Sequence, residues 1–173
     1  MGTHASVDDP SPEDVRVVLD YFRRIVQTLR ASSRAAERRI GLSGAQLFVL
    51  LKLAGEEGLS INELAARTLT HQSSVSVVVT RLVEGGYVAR TRSAHDARRV
   101  ELTLTRKGRT ILAKAPEAAQ ERLITAISGL PRAQRRVLTD SLRRIDEALA
   151  GSAAKSPSML FEDEEKPRRH VRS

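Results

Sequence analysis

The sequence predicts a mainly α-helical fold with one small β-hairpin, and three observations carry that prediction. Apolar residues recur at helical spacing in segments near both ends, which indicates long amphipathic helices. Between 87 and 104 the pattern changes to alternation, which is typical of short strands. The chain has 173 residues, enough for one domain with a sizeable core and few for two.

The first helix has a well-marked start. Ser11 can cap it, Pro12 suits the first helical position, and Glu13 and Asp14 favour the positive helix end. One apolar stripe then runs until the polar stretch before Gly41, and it needs a partner surface. The stripe consists of Val15, Val18, Leu19, Phe22, Ile25, Val26 and Leu29.

Two shorter helices follow. The second helix is capped by Ser43 and ends near Gly55 or Gly58. Ser60 and Glu63 form the pattern of a capping box at the start of the third. The residues predicted to face inward are Leu47, Leu50, Leu51 and Ala54 in the second helix and Leu64 and Ala65 in the third.

The stretch "SSVSVVVTRL", residues 73–82, contains β-branched residues that favour a strand by propensity. A strand would leave the "INELAAR" helix without a partner, whereas a helix places Val75, Val78, Val79 and Leu82 on one inward face. We therefore predict a helix, with Thr70 as its N-cap.

The segments "YVARTRS" and "RVELTLT" predict a hairpin around the polar loop "SAHDAR", with Val100, Leu102 and Leu104 on one side of the second strand. Two helices are predicted after it, from Arg106 to about Ser128 with Thr105 as cap, and from Arg132 to about Ala150 with Pro131 at the first position. The last helix carries a second apolar stripe, formed by Val137, Leu138, Leu142, Ile145 and Leu149.

Two short helices joined by a tight turn and followed by a hairpin form a winged helix-turn-helix, which reads DNA with its second helix in the major groove. We predict a single domain over 11–150, with the winged lobe at 43–104 and the long helical regions at 11–42 and 105–150. Residues 1–10 are predicted to be flexible, and the tail 151–173 to be disordered.

The outward face of the 73–82 helix predicts a DNA-reading surface, because its side chains are mostly small or hydrogen-bonding. Gln pairs with adenine, Ser and Thr contact bases or phosphates, and Val77 or the Thr80 methyl suits a thymine methyl. His71 is interpreted as a phosphate contact at the helix start. The candidate DNA-binding residues here are Thr70, His71, Gln72, Ser73, Ser74, Ser76, Val77, Thr80 and Arg81.

The hairpin loop "HDARR" predicts a second contact. An Arg at a loop tip suits a narrow minor groove, so Arg98 is predicted to insert, Asp96 to orient it and Arg99 to meet phosphate. Residues 61–110 hold nine basic and four acidic residues, a net +5 of the chain's +8. A basic lobe of this kind favours a polyanionic partner, double-stranded DNA.

Other classes of function have little support in the sequence. There is no cysteine, and the four histidines are scattered, so no metal, thiol or other cofactor is predicted. No catalytic grouping or phosphate-binding glycine loop is recognisable, so the protein is predicted not to be an enzyme. No signal peptide or membrane-spanning stretch is recognisable, which predicts a cytoplasmic protein without membrane contact.

The helix-turn-helix "INELAARTLTHQSSVSVVVTRLVEGGYVAR", the wing "DARR" and the following "VELTLTRKGRTIL" resemble the multiple antibiotic resistance regulator (MarR) family, over about Val15 to Ala150. The resemblance implies a homodimeric winged-helix transcription regulator, usually a repressor, whose first and last two helices form the dimer interface. It also implies small aromatic or phenolic anions as effectors, with no ligand residue matched. A pseudo-palindromic operator is expected for such a dimer.

Two alternative functions are kept. The first is a winged-helix module for RNA or protein contact that has no operator of its own, against which steep salt dependence with strong sequence preference would argue. The second is a small catalytic or carrier protein that only shares the fold. A tightly bound cofactor would favour the second.

Overall fold

The computed structural model describes residues 11–56, 58–93 and 98–150. Their elements are helix α1 (Pro12–Ile40), α2 (Gly44–Gly55), α3 (Ile61–Thr68) and α4 (Gln72–Glu84), strands β1 (Val88–Arg92) and β2 (Val100–Leu104), and helices α5 (Arg106–Leu112), α6 (Ala119–Gly129) and α7 (Arg132–Ala150). The predicted mainly α fold with one hairpin is confirmed. The residues predicted as flexible or disordered, 1–10 and 151–173, lie outside the described residues.

The helix starts follow the local sequence. Ser11 accepts a hydrogen bond from the Glu13 N–H at the start of α1. Ser43 with Gln46, and Ser60 with Glu63, form complete capping boxes on α2 and α3. Since each cap satisfies backbone N–H groups that a helix cannot satisfy itself, these residues fix where α2 and α3 begin.

The core lies in the winged lobe, where α2 is buried on nearly all sides. Phe48, Val49, Leu50 and Leu53 of α2 are fully buried, and they pack with Leu64 of α3 and with side chains of α4 and the hairpin. Leu47 and Leu50 are buried as predicted, but Ala54 is exposed, which makes that prediction wrong. Leu53 of the same turn is fully buried, so Ala54 is exposed because it lies on the outer side of this last turn and not because the turn is uncovered.

The hairpin pairs β1 and β2 antiparallel, with Val88 opposite Leu104 and Arg92 opposite Val100. Leu102 and Leu104 are buried as predicted, while Val100 is 47% exposed because it lies at the outer end of the wing. Strand β2 also contacts a third segment, because the Leu102 N–H donates a hydrogen bond to the Leu59 carbonyl at 2.8 Å. The base of the wing is thereby joined to the residues that precede α3.

The predicted single helix from Arg106 to about Ser128 is wrong, because the structure divides it into α5 and α6. Thr105 caps α5 as predicted, accepting from the Gly108 N–H at 3.0 Å. The interruption contains Pro116, and a proline inside a helix removes one hydrogen bond and clashes with the preceding turn. The start of α6 is capped from a distance, since the Ser32 hydroxyl of α1 accepts from the Ala119 N–H at 3.0 Å.

Candidate nucleic-acid interface

Helix α4 occupies the recognition position of the winged lobe and is held there by one face. Val75, Val78, Val79 and Leu82 are buried to 1% exposure or less. They pack in the same core as α2, α3 and Val88 of β1. The prediction of a helix over the valine-rich stretch is confirmed, because burial of these side chains outweighs the weak helix propensity of valine.

The opposite face of α4 is open to solvent and built of short side chains. Gln72, Ser73 and Thr80 are exposed, and Val77 is 47% exposed. A shallow depression of about 540 Å³ follows this face. Since four of its six lining residues have short side chains, a groove edge can approach the backbone closely. The depression is lined by Ser73, Ser76, Val77, Thr80, Arg81 and Glu84.

Thr80 is held in a fixed orientation on this face. Its hydroxyl donates to the Ser76 carbonyl at 2.9 Å and accepts from the Arg90 guanidinium at 3.2 Å. Arg90 comes from β1, so the hairpin braces the exposed face of α4 and adds a cation beside it. Arg90 could not be identified as part of this surface from the sequence, because no local pattern indicates a contact between a strand and a helix residue ten positions earlier.

Two of the proposed contacts at the start of α4 need correction. His71, not Thr70, is the N-cap, and it makes no side-chain capping bond. The Thr70 hydroxyl donates instead to the Thr68 carbonyl at 3.0 Å, within the turn. Ser74 is buried at 9% exposure, because it lies on the core side of the first turn with Val75. We therefore remove Ser74 from the candidate DNA-facing set, while His71 stays exposed in it.

The wing is described on both sides of its tip. Arg98 is exposed, whereas His95 and Asp96 lie outside the described residues, so the predicted pairing of Asp96 with Arg98 stays a prediction. The Ser93 N–H donates to the Arg99 carbonyl at 2.9 Å and closes the wing below its tip. The backbone next to Arg98 is therefore held in place by the hydrogen bond between Ser93 and Arg99.

The Arg99 side chain turns away from the tip toward α3. Its Nη2 lies 2.8 Å from Glu63 Oε2 and 3.2 Å from the Gly58 carbonyl oxygen, and its Nε lies 3.6 Å from Glu101 Oε1. The prediction that Arg99 meets phosphate has no support in this geometry, because its guanidinium already faces two carboxylates. No sequence pattern signals the pairing, since 36 residues separate Arg99 from Glu63.

Glu63 is held in its charged form. Hydrogen bonds from the Ser60 backbone and hydroxyl lower the pKa of the Glu63 carboxyl below its ordinary value, and Arg99 lowers this pKa further. The Ser60 N–H and hydroxyl both lie 2.8 Å from the oxygen that Arg99 contacts. One carboxylate thus joins the start of α3 to the wing.

The joint between the wing and α5 requires a glycine. Thr105 N–H and its hydroxyl both donate to the Tyr87 carbonyl oxygen, at 3.0 and 3.1 Å. A Cβ at Gly108 would lie 2.2 Å from that same oxygen. A glycine is therefore required at position 108 because the α5 backbone passes directly over the residue that precedes β1.

The described residues show neither a metal-binding group nor a membrane-spanning helix. Within residues 11–56, 58–93 and 98–150, no group of three or more His, Asp or Glu side chains could hold a metal ion. In the same residues no helix combines the length and the apolar character needed to cross a bilayer. The exposed face of α4 and the wing therefore form the candidate nucleic-acid interface.

The fold and this surface define a winged-helix protein with an exposed recognition helix, and comparison with known proteins gives the family. The MarR family model matches residues 40–99. The chain is 32% identical over 112 residues to the HTH-type transcriptional regulator TtmR of Methylorubrum extorquens, covering 65% of this chain and 56% of that protein. It is 35% identical over 95 residues to an HTH-type transcriptional repressor of Mycobacterium bovis, covering 55% of this chain and 68% of that protein.

A solved structure agrees with these relatives. Bordetella bronchiseptica BpsR, whose DNA binding is regulated by 6-hydroxynicotinic acid, shares 26% identity with a TM-score of 0.50, covering 76% of this chain and 99% of that one. The chain belongs to the MarR family of transcription regulators, which are DNA-binding proteins and not enzymes. It spans a little over half, 56%, of TtmR.

Proposed function

We propose that the protein is a sequence-specific double-stranded DNA-binding transcription regulator that acts as a homodimeric repressor and responds to a small anionic effector. The observation that carries the proposal is the division of α4 into two faces. One face is fully buried, and the other presents Gln72, Ser73, Val77 and Thr80 to solvent with arginines beside them. A helix held in this way can enter a major groove without repacking its own lobe.

Selection of duplexes from a random-sequence pool tests this proposal directly. We expect enrichment of a pseudo-palindrome whose half-sites lie about 10 bp apart, and an affinity that falls steeply with salt. If no sequence is enriched at low salt, the protein does not read DNA in this way.

A charge placed on the recognition face tests the orientation of α4. Ser76→Glu should abolish specific binding because it sets an anion against the DNA. Thr110→Glu, on the exposed part of α5, is the matched control and should retain binding. Circular dichroism must show both variants folded; loss of fold in Ser76→Glu would mean that the wrong face of α4 has been assigned to DNA.

The homodimer part of the proposal rests on α7. Each residue from 132 to 149 is exposed in the single chain, although the helix carries an apolar stripe. Most of the stability of an amphipathic helix in a protein comes from packing of its apolar face, so this stripe needs a covering surface. The stripe of α1 is also largely uncovered, with Val15 at 48% and Phe22 at 38% exposure. A space of about 550 Å³ joins the two stripes near Leu19 and Ile145.

A second copy of this chain is the proposed cover, because a surface shared by α1 and α7 suits a two-fold interface. Leu142→Glu should convert the protein to monomers in sedimentation at micromolar concentration. Arg136→Glu should remain dimeric, because no residue of the stripe lies three or four positions from Arg136 and its side chain is therefore on the other face of α7. A monomeric wild-type protein would contradict this part of the proposal.

The effector part rests on a cavity of about 430 Å³ between α1 and α6. Its floor is apolar, with Leu29 and Ala119, and Arg24 and Arg122 stand at its edge. This size and this combination suit a small aromatic carboxylate. 6-Hydroxynicotinate is the natural probe, since it regulates BpsR. Calorimetry should show binding that Arg122→Ala weakens; equal binding by both proteins would place any ligand elsewhere.

A further inference from the structure

The wing of this protein is tied to the recognition lobe by side chains as well as by its strands. Arg99 follows Arg98 directly in the sequence, and its Nη2 lies 2.8 Å from Oε2 of Glu63 in α3. Glu63 in turn accepts from the Ser60 N–H, at the start of the helix that packs against α4. A continuous chain of bonds therefore runs from the tip-proximal part of the wing to the helix beneath the recognition helix.

The same segment is fixed through its backbone. The Arg99 carbonyl accepts from Ser93 at 2.9 Å, and the Leu102 N–H donates to Leu59 at 2.8 Å. Arg99 Nη2 also donates to the Gly58 carbonyl at 3.2 Å. The segment 58–60 thus holds the base of the wing through a backbone hydrogen bond, and the Arg99 side chain adds a second contact to the same segment.

We propose that Glu63 and Arg99 form a latch that positions the wing for DNA contact, so that Arg99 acts as a positioning residue and not as a phosphate ligand. This inference rests on the proposed DNA-binding function and deepens it. The latch fixes the point from which Arg98 projects. The latch raises the affinity indirectly, by holding the wing in its binding position before DNA arrives, because a contact made by a loop costs less when the loop is already ordered.

The two roles of Arg99 predict opposite effects of one substitution. Glu63→Gln removes a negative charge and keeps the capping box, because glutamine serves at that helix position as well as glutamate. If Arg99 were a phosphate ligand, this change would free its guanidinium and remove repulsion, and DNA binding would become tighter. If Arg99 is part of a latch, the wing loosens and binding becomes weaker in spite of the lost negative charge.

A carboxylate away from the wing supplies the matched control. Glu56→Gln breaks an ion pair with Arg67 of α3 that does not involve the wing, and should leave binding unweakened. It loses one negative charge, as Glu63→Gln does.

The experiment measures the affinity for a selected duplex over a salt series. We expect Glu63→Gln and Arg99→Ala each to weaken binding about five- to tenfold, and the double variant to be no weaker than either single one. The salt slope should change little in Arg99→Ala, whereas loss of a phosphate ligand lowers it by about 1. Equal or tighter binding by Glu63→Gln, or a lowered slope in Arg99→Ala, would overturn the latch.

Amide hydrogen exchange in the free protein separates the latch from the proposed function. The Ser93 N–H, which donates to Arg99, should exchange about tenfold faster in Glu63→Gln than in wild type or Glu56→Gln. If wild type selects no DNA but this exchange accelerates, the proposed function fails and the latch stands. Unchanged exchange at Ser93 would refute the latch whatever the DNA result.

Discussion

Gly108→Ala should destabilise the protein strongly for a change of one methyl group. The new Cβ would lie 2.2 Å from the Tyr87 carbonyl oxygen, about 1 Å inside normal contact, and the obstacle is backbone. Relief requires α5 to move away from the start of β1. That movement sacrifices the bond from the Thr105 N–H to this oxygen, at 3.0 Å, and the bond that the Thr105 hydroxyl shares between the Gly86 and Tyr87 carbonyl oxygens, at 2.8 and 3.1 Å.

The magnitude follows from these contacts. Two hydrogen bonds of about 1 kcal/mol each and roughly 1 to 2 kcal/mol of residual strain oppose a gain of about 1 kcal/mol from alanine's helix propensity. We expect a net loss of about 2 to 3 kcal/mol in the free energy of unfolding. Urea denaturation followed by circular dichroism, at one fixed protein concentration, measures it.

Gly55→Ala is the matched control, because a Cβ at Gly55 meets no atom within 4 Å. It should leave the free energy of unfolding unchanged or raise it by up to about 1 kcal/mol. Should Gly108→Ala prove as stable as wild type, the close approach of α5 to β1 does not exist in solution.

Three further outcomes are expected. Leu69 has a left-handed backbone (φ 53°), which is unfavourable for leucine, and is 72% exposed. Leu69→Gly should therefore raise the free energy of unfolding by about 1 kcal/mol, measured by urea denaturation. A decrease would show that the Leu69 side chain stabilises the fold. Ser32→Ala removes the cap of α6 and should cost about 1 kcal/mol, whereas Ser141→Ala, which breaks only a bond to its own helix, should cost little; equal costs would contradict the capping role. Because folding lowers the pKa of Glu63, its contribution to stability is present above the pKa of an unfolded glutamate and is lost as pH falls through the folded pKa. The difference in the free energy of unfolding between wild type and Glu63→Gln, measured by urea denaturation from neutral to acidic pH, should therefore shrink as pH falls; a constant difference would argue against a charged Glu63 in the fold.

The features that could be predicted from the sequence are those with local causes. Ser11, Ser43 and Thr105 lie next to the helices they cap, so short-range patterns reveal them. The helical state of α4 could be predicted only with one non-local argument, namely that α3 needs a second helix to pack against. The predicted surface of α4 was largely correct in exposure, since helical periodicity alone assigns Val77 and Thr80 to the outside.

The errors arose where contacts with distant parts of the chain determine a helix boundary or a side-chain partner. The end of α5 was missed because apolar residues continue through residues 111–118, although Pro116 was a signal against one helix. Thr70 was a reasonable cap by residue type, but its hydroxyl is used within the turn. The contacts from Arg90 to Thr80 and from Arg99 to Glu63 depend on how the hairpin folds back, and periodicity does not encode that.

The exposed face of α4 has a consequence for the thermodynamics of complex formation. Val77 and Thr80 are stiff at χ1, and the Thr80 hydroxyl is already bonded to Ser76 and Arg90. A face of lysines or glutamines would lose up to about 2 kcal/mol of rotamer entropy per side chain when ordered against a partner. The short side chains of Ser73, Ser76, Val77 and Thr80 have little such freedom to lose, so the rigidity of this part of the face before docking favours a slow dissociation rate over a wide tolerance of sequences.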